Sequence, residues 1–423
     1  MMAGAALAGA ALACPRSPAL AVPAAAATGA APDDEGYWAR IAAQYDVTDE
    51  VIQLENGNWG MMARPVMEAY FGHVARVNRD SSWYSRRLFG RDALAIRARV
   101  AALLAVDEDE IVFTRNATES LTTLIGQYNA LQAGEAVLLA DLDYDSMQSA
   151  LIAKAAASGA QVVRIALPEP ASREAVLAAY GQAFADHPNL KLALLTHLSH
   201  RTGLVLPIAE IDALARRHGI DCIVDAAHSW GQIDFTLPDL GADFVGLNLH
   251  KWIGAPLGVG AIYIRRARLA AIDPAPADEA RAPERISSRV HTGTTDMAAL
   301  LAVTEALDFH EAIGGAAKAA RLRYLRDRWV GQLGDLPQIE VLTPADPRMY
   351  GAITSLRLKD RTSVADNAAL ARALLERHGI FTVLRTGIAS GAAVRVTPAL
   401  HNNPSQLDAL VLALREIART PPG

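Results

Sequence analysis

Residues 222–254, CIVDAAHSWGQIDFTLPDLGADFVGLNLHKWIG, decide the fold. They hold two short apolar runs, CIVDA (222–226) and FVGLNL (244–249), each bounded by turn residues. Four similar runs precede them: IVFT (111–114), AVLLA (136–140), QVVRIA (161–166) and LALLTH (192–197). Amphipathic stretches over 146–158, 173–186 and 207–218 lie between, the last opening at Pro207 and closing at Gly219. Strands alternating with helices predict an α/β protein with a mostly parallel sheet covered on both faces. In such a sheet ligands gather beyond the carboxyl ends of the strands, so the residues just after each run carry the functional information.

Outward from this centre the texture changes near Met297. Two long helical stretches follow, then strands near 353–358 and 392–397 and a last helix from Pro404. This predicts a large domain over 33–296 and a smaller α+β domain over 297–423, joined by residues 33–55. Residues 1–32 contain no acid and one base, Arg16, within Ala-, Gly- and Pro-rich sequence. They resemble the apolar core and cleavage region of a secretory signal that lacks its positive start, as the tail of a twin-arginine leader would. Export to the periplasm is one expectation; a disordered tail on a cytoplasmic protein is the other.

Composition excludes several classes. Lys plus Arg at 40 against Asp plus Glu at 46 gives a formal charge of -6, which is no footprint for nucleic acid. With two cysteines, Cys14 and Cys222, there is neither a disulfide framework nor a cysteine metal cluster. After the leader no segment reaches the roughly 18 apolar residues of a membrane span. His197 and His200, three apart at a strand end, face opposite ways and suggest no metal.

Lys251 follows the 244–249 run, and Asp225 closes the 222–226 run at the same sheet edge. A lone lysine in a loop is usually solvated, and a lone aspartate there is usually a cap. Together they supply what pyridoxal phosphate requires: an amine for an imine and a carboxylate for the ring nitrogen. Asn116-Ala117-Thr118-Glu119-Ser120, between the first strand and a helix, supplies a helix N-terminus for a phosphate.

Asn116-Ala117-Thr118-Glu119-Ser120, Val224-Asp225-Ala226-Ala227-His228-Ser229-Trp230-Gly231, His250-Lys251-Trp252 and Gly293-Thr294 occur in the order found in class V aminotransferase-fold enzymes. Over about residues 50 to 415 the chain resembles that family, and within it the isopenicillin N epimerase-like branch. The resemblance implies fold type I and pyridoxal 5'-phosphate. It makes Lys251 the Schiff-base lysine and Asp225 the partner of the pyridine nitrogen. His228 would bond the ring hydroxyl, Tyr144 would stack on the ring, and Ala117, Thr118, Asn248 and His250 would hold the phosphate. Thr294 would reach the phosphate from a second subunit, implying a homodimer.

On the substrate side the resemblance assigns the α-carboxylate to Arg395, with a surface ion pair as the competing reading. It also points to Arg385, to Asn58 in the Asn56-Gly57-Asn58-Trp59-Gly60 turn, and to Arg86 in an aromatic and basic segment over 82–87. His200 and Arg201 depart from the family pattern and are candidates for substrate contacts. The reactions left open are epimerisation, β-elimination of a C–S bond and transamination of an amino acid; a cofactor-binding sensor is the non-enzyme alternative. Desulfurases of this fold place a thiol on the loop before the carboxylate-binding arginine, and 386–394 contains none. An epimerase needs a proton donor opposite Lys251, for which His200 and Tyr84 are the candidates.

Overall fold

The computed structural model describes residues 30–279 and 282–421, so the leader reading lies almost wholly outside the described residues. Strands β1 (Ile52–Gln53), β2 (Ile111–Thr114), β3 (Ala136–Ala140), β4 (Gln161–Ile165), β5 (Leu190–Thr196), β6 (Asp221–Ala226), β7 (Phe244–Asn248) and β8 (Gly260–Ile264) come first in the chain. Seven of them form one sheet in the order β2-β8-β7-β6-β5-β3-β4. Only β8 runs against its neighbours. The central strands are buried along their whole length, which is why their sequences read as continuous apolar runs.

Each face of this sheet builds its own core. Val137 and Leu139 point into one core with α4 (Ala117–Gln127) and α5 (Asp145–Ser158). Ala136, Leu138 and Ala140 alternate into the other, with α6 (Arg173–Asp186) and α7 (Ile208–Arg217). Helix α4 sits unusually close to the sheet. A Cβ on Gly246 would lie 2.6 Å from Leu121, and one on Gly260 would lie 2.6 Å from the backbone of Asn116.

A second, antiparallel sheet runs in the order Val383–Arg385, Ala393–Val396, Thr354–Leu358, Ile339–Val341. It has its own core against helices Gly315–Val330, Val364–His378 and Pro404–Arg419, through Leu325, Trp329, Leu374, Leu410 and Leu414. The chain start is tied to this layer: β1 pairs in parallel with Ile380–Phe381, Glu55 bridges Thr397, and Glu35 pairs with Arg321. Helix Val303–Ile313, although beyond Met297, buries Val303 and Leu307 in the first core.

The 82–87 segment is helical. It continues the helix Arg64–Arg87 past a break at Ser81 (φ 43°), with Arg86 exposed. Among the described residues no helix is long and apolar enough to cross a membrane.

Candidate active site

The ends of β5, β6 and β7 and the start of α4 surround a cavity of about 480 Å³. Lys251 enters it from the turn after β7. Its Nζ lies 2.9 Å from Nε2 of His228, which comes from the turn after β6. Burial lowers the lysine pKa to about 8, against the opposing pull of Asp225. Burial also pushes the Asp225 carboxyl up, opposed by the Ala227 N–H at 2.9 Å and by Lys251. His228 is held neutral, first by burial and then by the Lys251 charge.

The backbone that carries Lys251 is clamped. The Gly60 N–H donates to the His250 carbonyl at 2.8 Å, and a Cβ on Gly60 would strike the Lys251 carbonyl at 1.6 Å. The buried Lys318 ammonium donates to the carbonyl of Trp252. Around the mouth, Tyr144 meets His200 edge-on at 5.2 Å, and the His200 ring lies parallel to that of His228 at 6.4 Å. Burial, then the Arg201 charge, drives the His200 pKa well down.

At the N-terminus of α4, Asn116 caps the Glu119 N–H at 2.8 Å. The Ala117 N–H donates to Asn248 Oδ1 at 2.7 Å. His250 Nδ1 faces the Val259 carbonyl at 3.1 Å; a carbonyl can only accept, so Nδ1 carries the hydrogen. Opposite, Arg385 and Arg395 line the wall. Arg395 Nη2 holds both oxygens of Glu55, at 2.5 and 2.8 Å, and Nη1 donates to the His200 carbonyl. Arg385 Nη2 lies 3.7 Å from Glu55. Burial, then repulsion by Arg395, lowers the Arg385 pKa to about 10.

A class V aminotransferase profile matches residues 64–410. The chain belongs to that family. Isopenicillin N epimerase of Streptomyces clavuligerus is 29% identical, the match covering 89% of this chain and 97% of that protein. A probable hercynylcysteine sulfoxide lyase of Mycobacterium tuberculosis is 32% identical over 75% of this chain and 78% of its own length. A cysteine desulfurase from Escherichia coli superposes with a TM-score of 0.76 at 21% identity, covering 91% of this chain and 99% of that one. The first sheet is thus the fold type I sheet of pyridoxal phosphate enzymes, as the resemblance implies.

Membership in the class V family makes pyridoxal phosphate the cofactor, and the residues present fit it. His228 Nδ1 is buried with no partner among the described residues, an orphan polar atom beside the amine. Thr118 lines the cavity in the first turn of α4, a helix N-terminus, where an anion is favoured. Asp225 and Lys251 open onto the same space.

Not every expected residue lies there. Arg201, expected near the substrate, is only 1% exposed and turns into the protein, onto the Asp141 and Gly387 carbonyls and Asp145. Arg86 and Thr294 are exposed away from this chain's own pocket. Tyr84 is buried with its hydroxyl on Asp92 at 2.8 Å, which removes it as a proton donor to the cavity. The expected Ala117 backbone grip is already taken by Asn248. Arg395 is paired, but in the interior and not at the surface. Asn58 does line the cavity. Glu55 was missed; the signal available was an acid in Leu54-Glu55-Asn56, just ahead of the glycine turn.

Proposed function

We propose that the protein is an isopenicillin N epimerase-like enzyme acting on an amino acid or an amino-acid-derived substrate. The observation that carries this reading is the contact of Lys251 Nζ with His228 Nε2 in a pocket bounded by Asp225 on one side and two arginines on the other. When bound, pyridoxal phosphate supplies an electron sink for the bonds at the substrate α-carbon. Asp225 keeps the ring nitrogen protonated. Thr118, Asn248 and His250 hold the phosphate, with Thr294 of a second copy completing the cradle in a homodimer. His228 serves the ring hydroxyl, and Tyr144 covers one ring face.

Lys251, whose lowered pKa of about 8 leaves a substantial share of neutral amine at that pH, would take or return the α-proton. His200, beside His228 in the same cavity, is the candidate group opposite it. A C–S lyase or an aminotransferase is the alternative on the same residues. A thiol-dependent desulfurase is disfavoured, because 386–394 carries no cysteine and Cys222 is buried with its thiol pushed well up by burial. The chain division near residue 297 and export of a processed form belong to the same proposal.

Purified protein should be yellow, and Lys251→Ala should lose that absorbance and about 10²–10⁴-fold of turnover. Protein that takes up no pyridoxal phosphate would overturn the reading. L-amino acids incubated in heavy water separate the reactions. Deuterium in both enantiomers marks an epimerase, a keto acid with ammonia or sulfide a lyase, and a keto acid with the amine form of the cofactor a transaminase. A loaded protein with no turnover on a broad panel leaves the sensor alternative.

A further inference from the structure

The buried guanidinium of Arg201, in the turn after β5, reaches two sides of the cavity mouth. On one side Nη1 donates to the Asp141 carbonyl, and Nη2 pairs with the carboxylate of Asp145, the residue after Tyr144 at the start of α5. On the other, the same Nη1 donates at 2.7 Å to the carbonyl of Gly387, two residues beyond Arg385. Its Nε is buried with no partner among the described residues, so the grip is carried by the two terminal nitrogens. Tyr144, Asp145, Arg385 and Thr386 all line the cavity. Gly387 lets its loop press on the guanidinium: it stands at φ 82°, and a Cβ there would come 2.4 Å from Cζ.

One residue back, the His200 carbonyl accepts from Arg395 Nη1 at 2.8 Å. Two neighbouring residues thus hold the hairpin of Val383–Arg385 and Ala393–Val396, whose arginines stand in the cavity wall. Further along the loop, the Ala389 N–H donates to Asp141 Oδ2 at 3.0 Å, and Ser390 donates to Glu169. Those ties fix the far end of the loop, and Arg201 grips it nearer Arg385.

We propose that Arg201 is a positioning residue: it ties the Tyr144 side of the cavity mouth to the Arg385 side, and so fixes the frame in which the wall arginines meet a substrate carboxylate. A guanidinium is planar and rigid, so two segments bonded to its terminal nitrogens are held at a set spacing. An apolar side chain would leave the Gly387 carbonyl without this donor and free the hairpin to shift. A shift of about 1 Å in a binding group can cost on the order of a hundredfold in rate. This inference rests on the amino-acid substrate proposed above.

The test titrates butyrate, a single carboxylate, calorimetrically into the cofactor-loaded protein and follows hydrogen exchange over residues 386–391. Arg201→Met should keep the yellow band, weaken butyrate by about tenfold, or about 1.4 kcal/mol, and speed exchange in the loop by about tenfold. Asp145→Asn removes the charge of one anchor at a side chain that is 71% exposed, and should weaken butyrate by about threefold. It decides the matter if Arg201→Met does not fold. Folded Arg201→Met that is less stable but binds butyrate as wild type does would make Arg201 a purely structural residue and overturn the proposal. Unchanged exchange in the loop would overturn it too. Wild type that is yellow but binds no butyrate would sink the amino-acid reading, and the exchange rate then decides on its own whether Arg201 ties the two sides.

Discussion

Lys251 titrates near 8 where an ordinary lysine titrates at 10.5, because burial disfavours the ammonium more than Asp225 supports it. The neutral amine is the form that attacks an aldehyde. The rate at which apoprotein captures pyridoxal phosphate should therefore rise with pH and level off above about 8. Stopped-flow absorbance measures it, and a midpoint near 10.5 would refute the buried-amine account. Lys251 and Asp225 were legible as single residues because each closes or follows an apolar run. Glu55 was not, because the arginine that gives it meaning lies 340 positions away. Arg201 misled for the same reason: a guanidinium after a strand end can turn to the ligand or to the protein, and its acceptors come from two other segments.

At the scale of elements, the turn after β7 is held by a lysine from helix Gly315–Val330. Lys318 is fully buried, its ammonium on the Trp252 carbonyl, and burial alone brings its pKa down to about 7. Between about 7 and 10.5 the unfolded chain binds a proton that the folded chain does not. Stability from this group accordingly rises with pH across that window, by at most about 1.4 kcal/mol per pH unit, and the cost is complete below it. Lys318→Met should flatten the dependence of urea midpoint on pH between 7 and 9. Equal slopes in variant and wild type would show that the lysine is not buried in its neutral form. The α4 N-terminus was readable from Asn116 and its spacing to Glu119. That Asn248 would occupy the Ala117 N–H was not, since it depends on how far Gly246 and Gly260 let the helix approach the sheet.

Across the whole molecule, the turn after β5 is the joint between the two sheets. Arg201 reaches the Asp141 and Gly387 carbonyls, Ser355 donates to the Arg201 carbonyl, and Thr343 donates to that of Thr202. Gly203 sits where a Cβ would strike the Ile353 carbonyl at 1.9 Å. Arg201→Met removes the donors to two sheltered carbonyls and should cost about 2–4 kcal/mol. Chemical denaturation checks this, and a loss below about 0.5 kcal/mol, the range of ordinary surface changes, would mean the joint is held by packing alone. Six of the seven strands of the first sheet were legible to within two residues, because each is a short, mostly apolar run ending at turn residues, whereas β8, which runs against its neighbours, was not among them. The pairing of β1 with Ile380–Phe381 was not, since two residues carry no periodicity.

The sequence by itself determined the sheet, the order of its strands along the chain, and the lysine and aspartate at its edge. Apolar runs and turn chemistry are properties of neighbours along the chain, and a ligand site at strand ends follows from topology. Only the tertiary structure decided which guanidinium pairs with Glu55 and which is turned into the joint. A buried charge takes whichever partner lies within a few ångströms, and that distance is set by packing between segments far apart in the chain.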